Sequence, residues 1–146
     1  MPRSLDVAEY FLLLEGDEGE ISNMKLQKLV YYAQGFSLAL TGKPLFDEPI
    51  EAWMHGPVVA DLYHRFSEFG GNPIPLSNTF NPSVLSRDHR ALIEEVFDVY
   101  GQYSAWKLRQ LTHEESPWMD NYVEGSYSRE IPQDEMRRYF SENLVN

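Results

Sequence analysis

The chain has no cysteine among its 146 residues, so a disulfide framework, a thiol nucleophile and thiolate metal ligands are all excluded. Long apolar runs are also missing. The longest, such as residues 10–14 and 29–33, fall far below the ~18 residues expected of a membrane helix. Met1-Pro2-Arg3-Ser4 runs directly into Asp6 and Glu9, which leaves no uninterrupted apolar segment of the kind a signal peptide needs. These absences lead to the expectation of a cytoplasmic protein with no membrane partner. Positive charge is scarce as well: twelve Lys and Arg face twenty-three Asp and Glu, a formal charge of −11. A nucleic-acid binder displays a basic surface that neutralises phosphates, so direct nucleic-acid binding by this chain alone is not expected.

Catalytic signatures are equally thin. No Gly-x-Ser-x-Gly elbow occurs, and Gly70-Gly71 is not followed by the Lys and Ser/Thr of a phosphate loop. The histidines are His55, His64, His89 and His113, and no two stand at the i, i+3 or i, i+4 spacing of a helical metal pair. A His55–His113–Asp61 cluster would have to be assembled by tertiary structure. Glu94 and Glu95 are neighbours on one helix and diverge by about 100°, which suits solvent rather than shared acid–base work. The sequence therefore assigns no catalytic residue, no metal ligand and no cofactor.

What is present reads as one all-α domain over residues 1–146, with about six helices. A chain of this length buries about 68–70% of its unfolded surface, enough for a core without staples. Ser4 is placed to cap a helix over residues 5–14. Ser22 opens the longest helix, to about Leu40, with Gly42 just beyond. Leu26, Leu29, Val30, Ala33 and Leu40 form its apolar stripe, and Lys25, Lys28 and Tyr32 fall together beside it. The alternation Ile50-Glu51-Ala52-Trp53 suggests a strand within a minor two-strand element, and Pro57 suits the first position of a helix to Phe69. Gly70-Gly71, Pro73, Pro75 and Pro82 mark a long connection to Leu85, a length that often accompanies function or mobility. Leu92, Ile93, Val96, Phe97 and Tyr100 give a helix over residues 87–100, Ser104 starts another ending near His113, residues 117–131 look irregular, and Pro132 begins a last helix with Met136, Tyr139 and Phe140. The expected core includes Leu26, Leu29, Val30, Ala33, Trp53, Leu92, Val96 and Phe97.

Three blocks carry the functional reading: Lys25-Leu26-Gln27-Lys28-Leu29-Val30-Tyr31-Tyr32-Ala33-Gln34, then Ala52-Trp53-Met54-His55-Gly56-Pro57-Val58, then Leu111-Thr112-His113-Glu114-Glu115-Ser116-Pro117-Trp118. Two ammonium groups three positions apart lie on adjacent helical turns, where Lys25 and Lys28 either meet carboxylates of a partner together or simply balance Glu18 and Glu20; Tyr32 adds an amphipathic anchor. The acidic linker of Glu15, Asp17, Glu18 and Glu20 reads as a solvated loop or as a steering surface for a basic partner. His55 would stand beside a helix N-terminus, able to hold an anion or merely bonded into the turn. Thr112 can cap a helix, and Trp118 is expected to pack the last one.

In order and spacing, these blocks resemble the Panacea antitoxin domain, a bacterial and phage family with SocA-like and GepA-like proteins, and the likeness spans roughly residues 5 to 140. The resemblance implies a single antitoxin domain that neutralises a cognate protein toxin by direct binding, without catalysis. The alternative is a regulatory adaptor that delivers a partner to a protease or counters host defence. Lys25, Gln27, Lys28, Tyr31, Tyr32 and His55 are the expected partner-binding residues; Trp53, Gly56, Pro57, Val58, Thr112, His113, Pro117 and Trp118 are the expected structural motif. Family members pair with unrelated toxins, so the toxin and the oligomeric state stay open. If Lys25 and Lys28 lie on the surface, reversing both to Glu should leave the fold intact. The charge balance yields a first prediction: random duplex DNA at physiological salt should show no measurable binding to this chain in a fluorescence titration, and micromolar affinity would contradict it.

Overall fold

The computed structural model describes residues 1–17, 19–125 and 128–144; Glu18 of the acidic linker lies outside them. Its helices are α1 (Ser4–Glu15), α2 (Asn23–Thr41), α3 (Ala60–Arg65), α4 (Arg87–Tyr100), α5 (Ala105–His113), α6 (Ser116–Met119) and α7 (Gln133–Asn143). A small sheet of β1 (Glu51–Trp53), β2 (Gly56–Val58) and β3 (Arg129–Glu130) has the order β2-β1-β3, antiparallel throughout. The mostly helical expectation holds, with one helix more than counted from sequence: α6 forms inside the segment read as irregular.

Capping residues set most of the helix boundaries. The Ser22, Ser86 and Ser104 hydroxyls accept the amides of Lys25, His89 and Lys107 and so start α2, α4 and α5. Gly42 ends α2 at φ 75°. The first helix departs from expectation. Arg3, rather than Ser4, is its N-cap, and Asp6 reaches back to the Arg3 amide, while the Ser4 hydroxyl donates to Glu48 at 2.5 Å. Pro57 also departs: it lies in β2 opposite Ala52, and the helix begins only at Ala60. A residue without an N–H is tolerated there because β2 is an edge strand. Phe66 separates α3 from a 3-10 turn at Ser67–Phe69.

Helix α2 is the axis of the molecule, packed against α1, α4, α5, α7 and β2. Leu26, Leu29, Val30 and Ala33 are fully buried, as is Val96 on α4. Trp53, Leu92 and Phe97 are half-buried, so the expected core is correct in its centre and too generous at its margin. Leu40, assigned to the stripe, is exposed, because α2 outruns the elements around it near its end. The long connection is held down at two points: the Ile74 amide donates to Ile21 O at 2.9 Å, and Ile74 and Leu85 are buried.

Helices α2 and α7 pack tightly against each other. A Cβ built on Gly35 would stand 2.2 Å from the Phe140 ring, so glycine here is the space that lets Phe140 reach Tyr31, Tyr32 and Phe36. Gly35→Ala should therefore destabilise the protein, because overpacking by about 1–3 kcal/mol offsets the ~1 kcal/mol gained in helix propensity. Adding Phe140→Leu should recover part of the loss in chemical denaturation, and simple additivity of the two variants would contradict this packing. Leu29→Ala should cost about 2–5 kcal/mol by cavity formation.

Candidate functional site

Because α2 is buried at every position from Lys25 to Leu38, its polar residues there are buried too, and almost all of them are bonded to another part of the chain. Gln27 accepts the Val59 amide at 3.0 Å and donates to Asn23, whose own amide group donates to Tyr63 O. Gln34 accepts the amides of Leu45 and Phe46 and donates to Phe46 O. Ser37 donates to Lys43 O, and the Lys25 ammonium donates to Gly101 O at 2.7 Å. A buried polar group without a partner costs about 1–3 kcal/mol, so these bonds fix where each loop crosses the helix.

Tyr31 and Tyr32 meet at one carboxylate. Their hydroxyls donate to Glu115 at 3.1 and 2.8 Å, and Tyr32 stacks on Tyr100 with centroids 3.8 Å apart. Burial pushes the Glu115 pKa up to about 7, against the pull of the two hydroxyl bonds. Burial and the same carboxylate push both tyrosines well above their ordinary range.

The exception to the pairing rule is Lys28. It is fully buried, and its Nζ has no hydrogen-bond partner among the described residues. Burial, and then the Arg109 charge, lower its pKa to about 7. Gly56 lies directly against it: at φ 121°, a Cβ there would be 2.5 Å from Lys28 Cε and 3.1 Å from Thr112 Oγ1, so only glycine allows the hairpin to sit on the lysine. His113 completes the cluster, stacked on Trp118 at 3.9 Å. Burial lowers its pKa to about 4, assisted by the charges of Arg109, Lys28 and His55. The β1–β2 hairpin is clamped from outside by Trp118, whose indole N–H donates to Trp53 O at 2.7 Å.

These positions revise the sequence reading in several respects. Lys25, Gln27, Lys28, Tyr31 and Tyr32, expected to bind the partner, are buried within the chain. They are buried because α2 is central, and a double reversal of Lys25 and Lys28 to Glu would disrupt the fold. His55 is exposed, at the turn of the hairpin with Met54 rather than at a helix N-terminus. Thr112 does not cap a helix start; it lies in the last turn of α5 and donates to Arg109 O. Trp118 stacks on His113 and Tyr122 and bonds the hairpin, while its helix α6 also packs against α7. Pro117 is buried at the start of α6. His55 and His113 do approach each other, but in basic company, with Asp61 elsewhere in the lining of a separate cavity beside Glu48 and Glu51. Among the described residues no three His, Cys, Asp or Glu side chains are grouped to hold a metal ion. Glu115, Gln34 and Arg109 were missed as key residues. Gln27 and Gln34, seven apart on one face of α2, were the available signal for a buried polar seam.

A central helix stapled to its surroundings, with a hairpin seated on a buried lysine, defines a helical domain in which the three sequence blocks form a single structural unit. A family model described as "Antitoxin SocA-like, Panacea domain" matches residues 26–119, which hold the first block from Leu26 onward and the whole of the other two, and the chain belongs to that family. It is 34% identical over 110 residues to "Antitoxin SocA" of Caulobacter vibrioides (strain NA1000 / CB15N), an alignment covering 67% of this chain and 58% of that relative. The match thus spans less than two thirds of the relative's length. No solved structure matches the chain.

Two buried ionisable groups give opposite pH signatures. Glu115 has a folded pKa above its usual 4.5, so its contribution is intact below 4.5 and is lost as pH rises through about 7, a change of order 3 kcal/mol. Glu115→Gln should remove that fall from the difference between variant and parent stability curves. Lys28 has a folded pKa below its usual 10.5, so stability is lost as pH falls from 10.5 towards about 7. Lys28→Met should therefore melt higher than the parent at pH 7, with a gain that shrinks as pH is raised; a lower melting temperature at pH 7 would show that Lys28 is paired in solution.

Proposed function

We propose that this chain is an antitoxin that neutralises a cognate protein toxin by binding it directly, without catalysis. The observation that carries the reading is membership of the SocA-like family through the segment that contains most of the central helix, the hairpin and the α5–α6 turn. The acidic charge agrees with a protein partner rather than a nucleic acid. Among the described residues no helix is long and apolar enough to cross a membrane.

The partner surface centres on the hairpin turn. Met54 is 59% exposed and His55 stands beside it, and with Trp53 and Tyr122 they line a shallow depression of about 290 Å3. An apolar anchor next to a hydrogen-bonding ring, on a turn held rigid from beneath by Trp118 and Lys28, has the character of an interface hot spot. Rigidity lowers the ordering cost of association.

The test is co-expression with the product of the adjacent gene, scored by growth rescue and co-purification. Met54→Glu with His55→Glu should weaken binding by roughly 2 kcal/mol or more and abolish rescue, while the melting temperature stays within a degree or two of the parent's. Full protection by that folded double variant would move the interface elsewhere. Absence of rescue by the parent against any neighbouring toxic product would sink the antitoxin reading itself.

A further inference from the structure

A cavity of about 420 Å3 lies between the first turn of α2, the β1–β2 hairpin and the loop at Gly70-Gly71, a volume in the ~300–1,000 Å3 range of small-ligand sites. Met24, Trp53, Val58 and Tyr63 give it apolar walls, and among the described residues Lys28 is the only Lys or Arg in its lining, which contains no Asp or Glu.

The buried polar side chains of the lining are paired within the chain with one exception. Ser22 caps α2, Asn23 donates to Tyr63 O, and Gln27 is closed between Asn23 and Val59. Only the Lys28 Nζ, with three donors, is buried and unpartnered there. An ammonium so enclosed carries a large desolvation penalty that an acceptor of opposite charge offsets. The side chains around it do not supply one: Arg109 on α5 carries a like charge, His113, with its pKa lowered to about 4, is an uncharged ring near neutral pH, and Thr112 is neutral. A counter-charge for the protonated amine would have to come with a ligand. The amides of Asn23 and Met24 precede the first bond of α2, from Leu26 N–H to Ser22 O, and so add the positive end of a 19-residue helix at the same cavity.

We propose that this cavity is a binding site for a small organic carboxylate, whose acid group pairs with Lys28 and whose apolar or aromatic body lies against Trp53 and Tyr63. One ammonium compensates one charge; a phosphate dianion would carry its second charge into a lining with no further Lys or Arg. Lys28 itself lines the cavity, and the end of its side chain lies against Gly56 of the hairpin that walls it. Because burial and Arg109 hold the amine's pKa near 7, pairing draws a proton onto Nζ and binding is coupled to proton uptake near neutral pH. The inference does not rest on toxin binding, and its failure would leave that reading untouched.

Benzoate is a suitable probe, with benzyl alcohol as its uncharged counterpart and inorganic phosphate as the anion without a body. Each would be titrated into the full chain, following the Trp53 indole N–H resonance by NMR and proton uptake by calorimetry in two buffers of different ionisation enthalpy. Benzoate should bind saturably with proton uptake, and at least about tenfold more tightly than benzyl alcohol, the size of one charge-assisted hydrogen bond. The Lys28→Met variant, shown to be folded by its melting curve, should lose that preference. Proton uptake by the parent is a readout that does not depend on the variant. Absence of saturable benzoate binding, equal affinity for benzyl alcohol, or an unchanged preference in Lys28→Met would each overturn the site. Phosphate binding as tight as benzoate would overturn the assignment to an organic carboxylate.

Discussion

Enclosure of α2 from every side is the constraint on which the rest of this structure depends. A helix surrounded by other elements has no solvent face to receive its polar residues, so each must be bonded within the protein or carry a desolvation cost. The glutamines, the asparagine and Lys25 of α2 meet that demand by holding backbone groups of distant loops. The same bonds that satisfy the helix therefore fix the course of the chain around it. Specificity of this kind comes from polar groups placed where apolar ones would have been at least as stabilising.

The hairpin illustrates how far that constraint reaches. Gly56 lies against Lys28 and Thr112 because no side chain fits between them, and Trp118 closes the other side by its bond to Trp53 O. Three segments that are far apart in the chain thus form one rigid unit with an exposed tip at Met54 and His55. Its inner side carries a buried, unpaired lysine. One small element in this way joins a surface suited to a protein partner and a cavity suited to an acid.

Two buried groups, Glu115 and Lys28, are held away from their usual protonation by the same cause, burial, in opposite directions. Their environments differ in what accompanies the burial. Glu115 retains two hydroxyl donors from Tyr31 and Tyr32, so the carboxyl is anchored in either state. Lys28 has only basic and neutral neighbours, which sets it apart from the other polar residues of its helix.

The sequence by itself determined the helices whose ends are set by local chemistry. Ser22, Ser86 and Ser104 cap α2, α4 and α5 through bonds to amides three residues on, and the repeat of Ile93 and Val96 marks a face that any tertiary arrangement must bury. It also carried the three blocks that place the chain in its family. Tertiary structure decided the roles of the residues within those blocks. Periodicity can separate an apolar stripe from a polar one, but it cannot reveal that a second layer of helices covers the polar side. Lys25, Lys28 and Tyr32 therefore read as surface and proved to be interior. Pro57 was compatible with a helix start and with an edge strand, and pairing across Ala52 chose the strand. Glu115 had no local signal at all, since the two tyrosines that hold it are more than eighty residues away in the chain, a separation across which only the packed fold brings charge and hydroxyl together.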